Sequence, residues 1–142
     1  GLIVVDLPWP DNKIFAKKCK KNFITFVQLL SPTTSNLRMR KIVSDSHEML
    51  YLISMLSTTG GKLKVSSKKI LKNYDKIKKI DKSKNLVIGF GITSKNISSF
   101  KKADGCVVGS EICEKISQSV KKRQNPVTNV NIMVKKLKNK II

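Results

Sequence analysis

Apolar residues gather in five short runs, at residues 2–5, 23–30, 49–53, 86–88 and 106–108. They are rich in Val, Ile, Leu and Phe and nearly continuous, as expected of parallel strands covered on both faces. Lys-rich segments with helical spacing lie between them. Residues 12–22 form one such segment, and residues 37–44 another, with Leu37, Ile42 and Val43 as inward candidates. Residues 66–80 carry Ile70, Leu71, Tyr74, Ile77 and Ile80 at steps of three and four, an amphipathic stripe. A short helix is expected at 96–102. Residues 111–123 place Ile112, Ile116 and Val120 on one face, and residues 129–142 predict a terminal helix through Ile132, Met133, Leu137 and Ile141.

Strand and helix therefore alternate from the first run to the last, with one extra helix. That order predicts an α/β fold with parallel strands and right-handed crossovers. Spacing alone leaves a doubly wound sheet and part of a (β/α)8 barrel open. The loops after the runs are distinctive: Asp6-Leu7-Pro8-Trp9-Pro10, Ser31-Pro32-Thr33-Thr34, Ser57-Thr58-Thr59-Gly60-Gly61, Gly89-Phe90-Gly91-Ile92 and Gly109-Ser110. All follow strand C-terminal ends, the active face of such folds.

Composition narrows the function classes. The 142 residues carry a net charge of +20, but only three of the 29 basic residues are Arg. Nucleic-acid readers lean on Arg for bidentate contacts and on aromatics for stacking. Here aromatics make up 6%. Lys, Ile and Asn share AT-rich codons, so base composition of the coding sequence accounts for the excess. A basic nucleic-acid-binding module thus stays open only as an alternative, tested by the salt dependence of binding. The positive field still favours anionic substrates. The longest uncharged apolar runs, 24–30 and 49–56, fall short of the roughly 18–20 residues of a membrane span. Cys19, Cys106 and Cys113 show no C-x2-C spacing, and the lone His47 sits among polar neighbours, so no metal site is expected. Absence of a disulfide framework points to a reducing cytoplasm. Cys106 is expected in the core, Trp9 exposed in its loop, and Asp6 bonded to loop amides.

Gly89-Phe90-Gly91 after one strand and Gly109-Ser110 after the next form a candidate phosphate site. Glycines let backbone N–H groups approach an anion. Ser110 is expected to cap the helix that begins there, whose dipole favours negative charge. Phosphate often binds at the last two βα loops of (β/α)8 barrels. If these are strands seven and eight, residues 1–142 form a single domain: the C-terminal portion, about strands 4 to 8, of a TIM barrel. The chain opens without Met and directly into an apolar run, so N-terminal strands are expected to be missing.

The motifs Val5-Asp6-Leu7-Pro8, Leu30-Ser31-Pro32-Thr33-Thr34 and Tyr51-Leu52-Ile53-Ser54 leading to Thr59-Gly60 come first. Gly89-Phe90-Gly91-Ile92 and Ala103-Asp104-Gly105-Cys106-Val107-Val108-Gly109-Ser110 follow. In this order, from Gly1 to about Ile116, they resemble the tryptophan synthase alpha chain family. The resemblance implies aldol-type cleavage of indole-3-glycerol phosphate to indole and glyceraldehyde 3-phosphate. It also implies a beta-chain partner that alone holds pyridoxal phosphate, so no cofactor is expected in this chain. The family's catalytic Glu and Asp fall upstream, leaving no catalytic residue here. What remains is binding: Gly60, Gly91, Gly109 and Ser110 for phosphate, with Tyr51 and Phe90 flanking the substrate and Ile3, Leu29 and Val107 as apolar wall. Thr59 belongs to a loop that closes over substrate. The family's Arg-x-Gly-Val-Thr-Gly is here Met55-Leu56-Ser57-Thr58-Thr59-Gly60, without the Arg and first Gly. Another phosphate-binding barrel enzyme is the alternative within the fold.

Overall fold

A computed structural model describes residues 1–54 and 66–142. Four strands form one parallel sheet in sequential order: β1 (Gln28–Leu30), β2 (Met49–Ile53), β3 (Asn85–Gly89) and β4 (Gly105–Cys106). Helices α1 (Asp11–Lys21), α2 (Asn36–Asp45) and α3 (Ser67–Ile80) alternate with them. A 3-10 turn at Ile97–Phe100 stands where a short helix was expected. Helices α4 (Ser110–Lys121) and α5 (Pro126–Lys138) follow β4.

The first apolar run also lies parallel, beside the chain leading into β1. It makes a single bridge, Leu2 to Phe26, rather than a strand over 2–5. Leu2 N–H donates to the Thr25 carbonyl at 2.8 Å, and Val27 N–H donates to the Leu2 carbonyl at 2.9 Å. Pairing stops there because the chain turns at Asp6, whose φ is +62°.

Register sorts the strand residues between two faces. Leu30, Leu50, Leu52, Leu86 and Ile88 face the helices and are buried. They pack with Met39, Ile42, Val43, Ile70, Tyr74 and Ile77. Leu29, Tyr51 and Val87 align across three strands on the other, concave face. Leu29 and Val87 are only half-buried there. On α3, Ile70, Tyr74 and Ile77 are buried and Leu71 and Ile80 are partly buried against the same core. On α2, however, Met39 turns inward and Leu37 is exposed.

Helix starts follow capping chemistry. Ser35 and Ser66 accept from the N–H groups of Arg38 and Lys69. Asn125 accepts from Val127 and Thr128, with Pro126 in the first turn. Helix α4 packs against α5 through Ser119, whose hydroxyl accepts from Asn129 Nδ2 at 3.0 Å. The expected inward stripe of α4 is therefore turned away: Ile116 is 41% and Val120 62% exposed. Trp9 is not free in its loop either. Its indole N–H donates to Asp45 at 3.0 Å, and Lys41 lies 4.0 Å over its ring.

Asp104 ties α3 to the strand N-terminal ends. Its carboxylate accepts from Leu86 N–H at 2.8 Å and Lys78 Nζ at 2.9 Å. Burial alone would raise its pKa, but these donors and the Tyr74 hydroxyl outweigh burial and hold it below the usual range. Tyr74 is pushed up to about 12, by burial first and by the Asp104 charge second. Asp104→Ala leaves the Leu86 N–H without its acceptor and should cost about 1–3 kcal/mol. Because the folded pKa is depressed, the contribution is complete above the unfolded value of about 3.9 and is lost as pH falls through the folded one. Urea melts should show the gap between native and variant proteins narrowing below about pH 4.

Candidate functional site

The two glycine loops leave adjacent strands at the C-terminal end of the sheet. Val107 N–H donates to the Ile88 carbonyl at 2.8 Å, carrying the β3–β4 pairing up to the loops. Phe90 and Gly91 both have φ of +67°. That conformation is ordinary for Gly91 but rare for a bulky Phe. Ser54 holds the turn, with N–H donating to the Gly89 carbonyl at 2.8 Å and hydroxyl donating to the Phe90 carbonyl. Asn96 Nδ2 donates to the Gly91 carbonyl at 2.8 Å.

Gly109 is the N-cap of α4 and Ser110 its first residue. The expectation that Ser110 caps the helix is corrected: no side chain caps α4, because Ser110 stands one position too late for its hydroxyl to reach the first-turn amides. Among the described residues, the N–H groups of Gly91, Gly109, Ser110 and Glu111 meet no protein acceptor. The first turn of α4 thus presents donors that are unpaired among the described residues, together with the positive end of the helix dipole. Gly109 has a negative φ, and a Cβ there would meet nothing within 4 Å. Neither backbone nor packing demands glycine at this position.

Tyr51 and Phe90 come together, their rings edge to face with centroids 5.9 Å apart. Burial raises the Tyr51 pKa, opposed by a hydrogen bond from the Phe90 backbone. Gly89 makes room for this pair, since a Cβ there would overlap the Tyr51 hydroxyl and ring. Leu29 is next to Tyr51 in register. Val107, just past β4, and Ile3, beside the Leu2 bridge, are 38% and 51% exposed, and Phe90 is 55% exposed. Gly60 and Thr59 fall within residues 55–65, which lie outside the described residues.

Other polar features lie apart from the glycine loops. Asn12 Nδ2 donates to Gln28 Oε1 in a buried pair beside a cleft of about 280 Å³ lined by Leu7, Pro8, Leu29 and Ile53. Asp6 and His47 join no cluster of metal-ligating side chains, and none occurs among the described residues. Cys106 is half-buried rather than fully in the core, and burial raises its thiol pKa. No helix among the described residues is long and apolar enough to cross a membrane.

Two roles in this region went unread in the sequence: that of Ser54, which fixes the Phe90 turn, and that of Glu111, which lies in no motif. The Glu111 carboxylate accepts from Ser94 N–H at 2.6 Å and Ser94 Oγ at 2.5 Å. An acidic first-turn residue was visible next to Ser110, but its partner 17 positions away was not.

A family model described as tryptophan synthase alpha chain matches residues 1–142. The alpha chain of Pelagibacter ubique is 70% identical over 141 residues, covering 99% of this chain and 53% of that protein. That of Cyanidium caldarium is 38% identical over 127 residues, covering 85% and 46%. The crystal structure of tryptophan synthase subunit alpha from Legionella pneumophila superposes with a TM-score of 0.79 at 25% identity, covering 98% of this chain and 50% of that one. The chain therefore spans about half the length of the relatives it matches, and its sheet corresponds to half of a TIM barrel.

The Tyr51–Gly89 fit yields a stability test. Gly89→Ala should cost about 1–3 kcal/mol through overpacking. In a Tyr51→Leu background most of that penalty should vanish. Denaturant melts of the two single variants and the double variant measure the coupling directly.

Proposed function

The chain belongs to the tryptophan synthase alpha chain family, and from that premise we propose that the complete protein is a lyase of tryptophan biosynthesis. It cleaves indole-3-glycerol phosphate to indole and glyceraldehyde 3-phosphate. These residues supply the phosphate site and part of the indole pocket, and no acid or base role falls to them. The chain itself requires no cofactor. Indole passes to a beta chain carrying the pyridoxal phosphate, in a cytoplasmic alpha–beta complex.

One observation carries the reading. Gly109 stays a glycine where neither φ nor neighbouring atoms require it, at the open N-terminus of α4. A side chain there would stand in the path of an anion approaching the amides of Gly109, Ser110 and Gly91. Backbone N–H groups and the helix dipole then meet the phosphate charge, with the +20 field only raising its local concentration. Substrate lies over the concave face, against Tyr51, Phe90, Leu29 and Val107, with Ile3 further along. Gly60 and Thr59 would complete the phosphate contacts and the closing loop. The family match over all 142 residues speaks against another phosphate-binding barrel or a nucleic-acid module.

Calorimetric titration of glycerol phosphate into the full-length protein tests the phosphate site. Ser110→Ala removes a hydrogen bond to a charged group, worth about 1.5–3 kcal/mol, and should weaken binding roughly tenfold to hundredfold. Gly109→Val, titrated well below its own melting temperature, should weaken it more. Lys79→Gln, on α3 away from the loops, should change affinity less than about twofold. If the lysine change hurts most, binding is a surface-charge effect and the proposal fails.

A further inference from the structure

The proposed phosphate site is shared between loops that leave two different strands, so its affinity depends on how those loops are spaced. We infer that Glu111 is a positioning residue that sets this spacing. The inference rests on the phosphate reading above and adds to it a residue that touches no ligand.

Glu111 lies in the first turn of α4, directly after Ser110. Its carboxylate crosses to the loop after β3 and accepts both Ser94 N–H, at 2.6 Å, and Ser94 Oγ, at 2.5 Å. Bonds to an ionised acceptor are roughly twice as strong as neutral ones, and two from one residue also fix orientation. On its other side the Ser94 carbonyl accepts from Lys140 Nζ at 2.6 Å. Every polar group of Ser94 is therefore held, by α4 on one side and by the segment after α5 on the other. Asn96 carries the constraint back to the glycine. Its Oδ1 accepts from Thr93 N–H and its Nδ2 donates to the Gly91 carbonyl, both at 2.8 Å. A continuous series of bonds thus runs from Gly91 through Asn96, Thr93 and Ser94 to Glu111, one residue from Ser110.

The sign of the charge makes the role testable. A carboxylate in the first turn of α4 repels an anion bound at the same helix end. If Glu111 acted only through its field, removing it would tighten phosphate binding. If it spaces the loops, removing it loosens them and weakens binding despite the lost repulsion. The wall behind it is a cleft of about 490 Å³ between α4 and α5, lined among others by Gln118, Met133 and Leu137.

The experiment titrates glycerol phosphate into full-length native protein and into Glu111→Ala, Glu111→Gln, Ser94→Ala and Glu111→Ala/Ser94→Ala, at a temperature well below melting. Glu111→Ala should raise Kd about five- to twentyfold, within the usual range of coupling between directly bonded groups. Glu111→Gln keeps one acceptor oxygen and should recover part of the loss. The double variant should bind no worse than Glu111→Ala, because both changes break one contact. Unchanged or tighter binding by Glu111→Ala, or losses that simply add in the double variant, would overturn the inference. Failure of the native protein itself to bind glycerol phosphate would instead overturn the phosphate reading on which it rests.

Discussion

The fold depends on one-sided burial of a parallel sheet. Leu30, Leu50, Leu52, Leu86 and Ile88 are buried against the helices, and strand geometry then sends every alternate residue to the concave face. A shift of one residue in any strand would exchange the two sets and expose the core, so the register is strongly specified. Burial on the helix side therefore places Leu29, Tyr51 and Val87 in one row on the other side. Parallel crossovers bring the following loops to the same edge. The core thus determines where the face carrying Leu29, Tyr51 and Val87 lies.

At that edge the chemistry is mostly backbone. The α4 N-terminus offers amides without an acceptor among the described residues, and a Cβ at Gly109 would meet nothing within 4 Å. Ser54 and Asn96 hold the Phe90–Gly91 turn in its left-handed conformation, and Glu111 joins that turn to α4 through Ser94. Tyr51 and Phe90 meet beside it because Gly89 lacks a side chain. Charge plays a general part. Lys78, for instance, is engaged at the opposite end of the sheet with Asp104 and the carbonyls of Lys82 and Lys84.

Strand order and the glycine loops were legible in the sequence because short apolar runs and turn glycines are local signals. The α3 stripe was legible for the same reason. The α4 stripe misled: Ile116 and Val120 have helical spacing, but α5 packs on the Ser119 side of that helix. The first strand shrank to one bridge because the chain turns at Asp6. Trp9 looked like a loose loop residue because its partners Asp45 and Lys41 are more than 30 positions away. The Glu111–Ser94 contact was invisible because the two residues are 17 positions apart and neither belongs to a motif. Ser110 misled differently, as capping requires the residue just before the helix and that residue is Gly109.

The most direct test of the central claim is amide mapping by nuclear magnetic resonance. Glycerol phosphate is titrated into isotope-labelled full-length protein, and backbone N–H shifts are followed residue by residue. An anion held by the helix end and the glycine turn should move the Gly91, Gly109, Ser110 and Glu111 signals most, in a single saturable process. Small shifts there, with the largest changes spread over lysines of α1 and α3, would contradict the account.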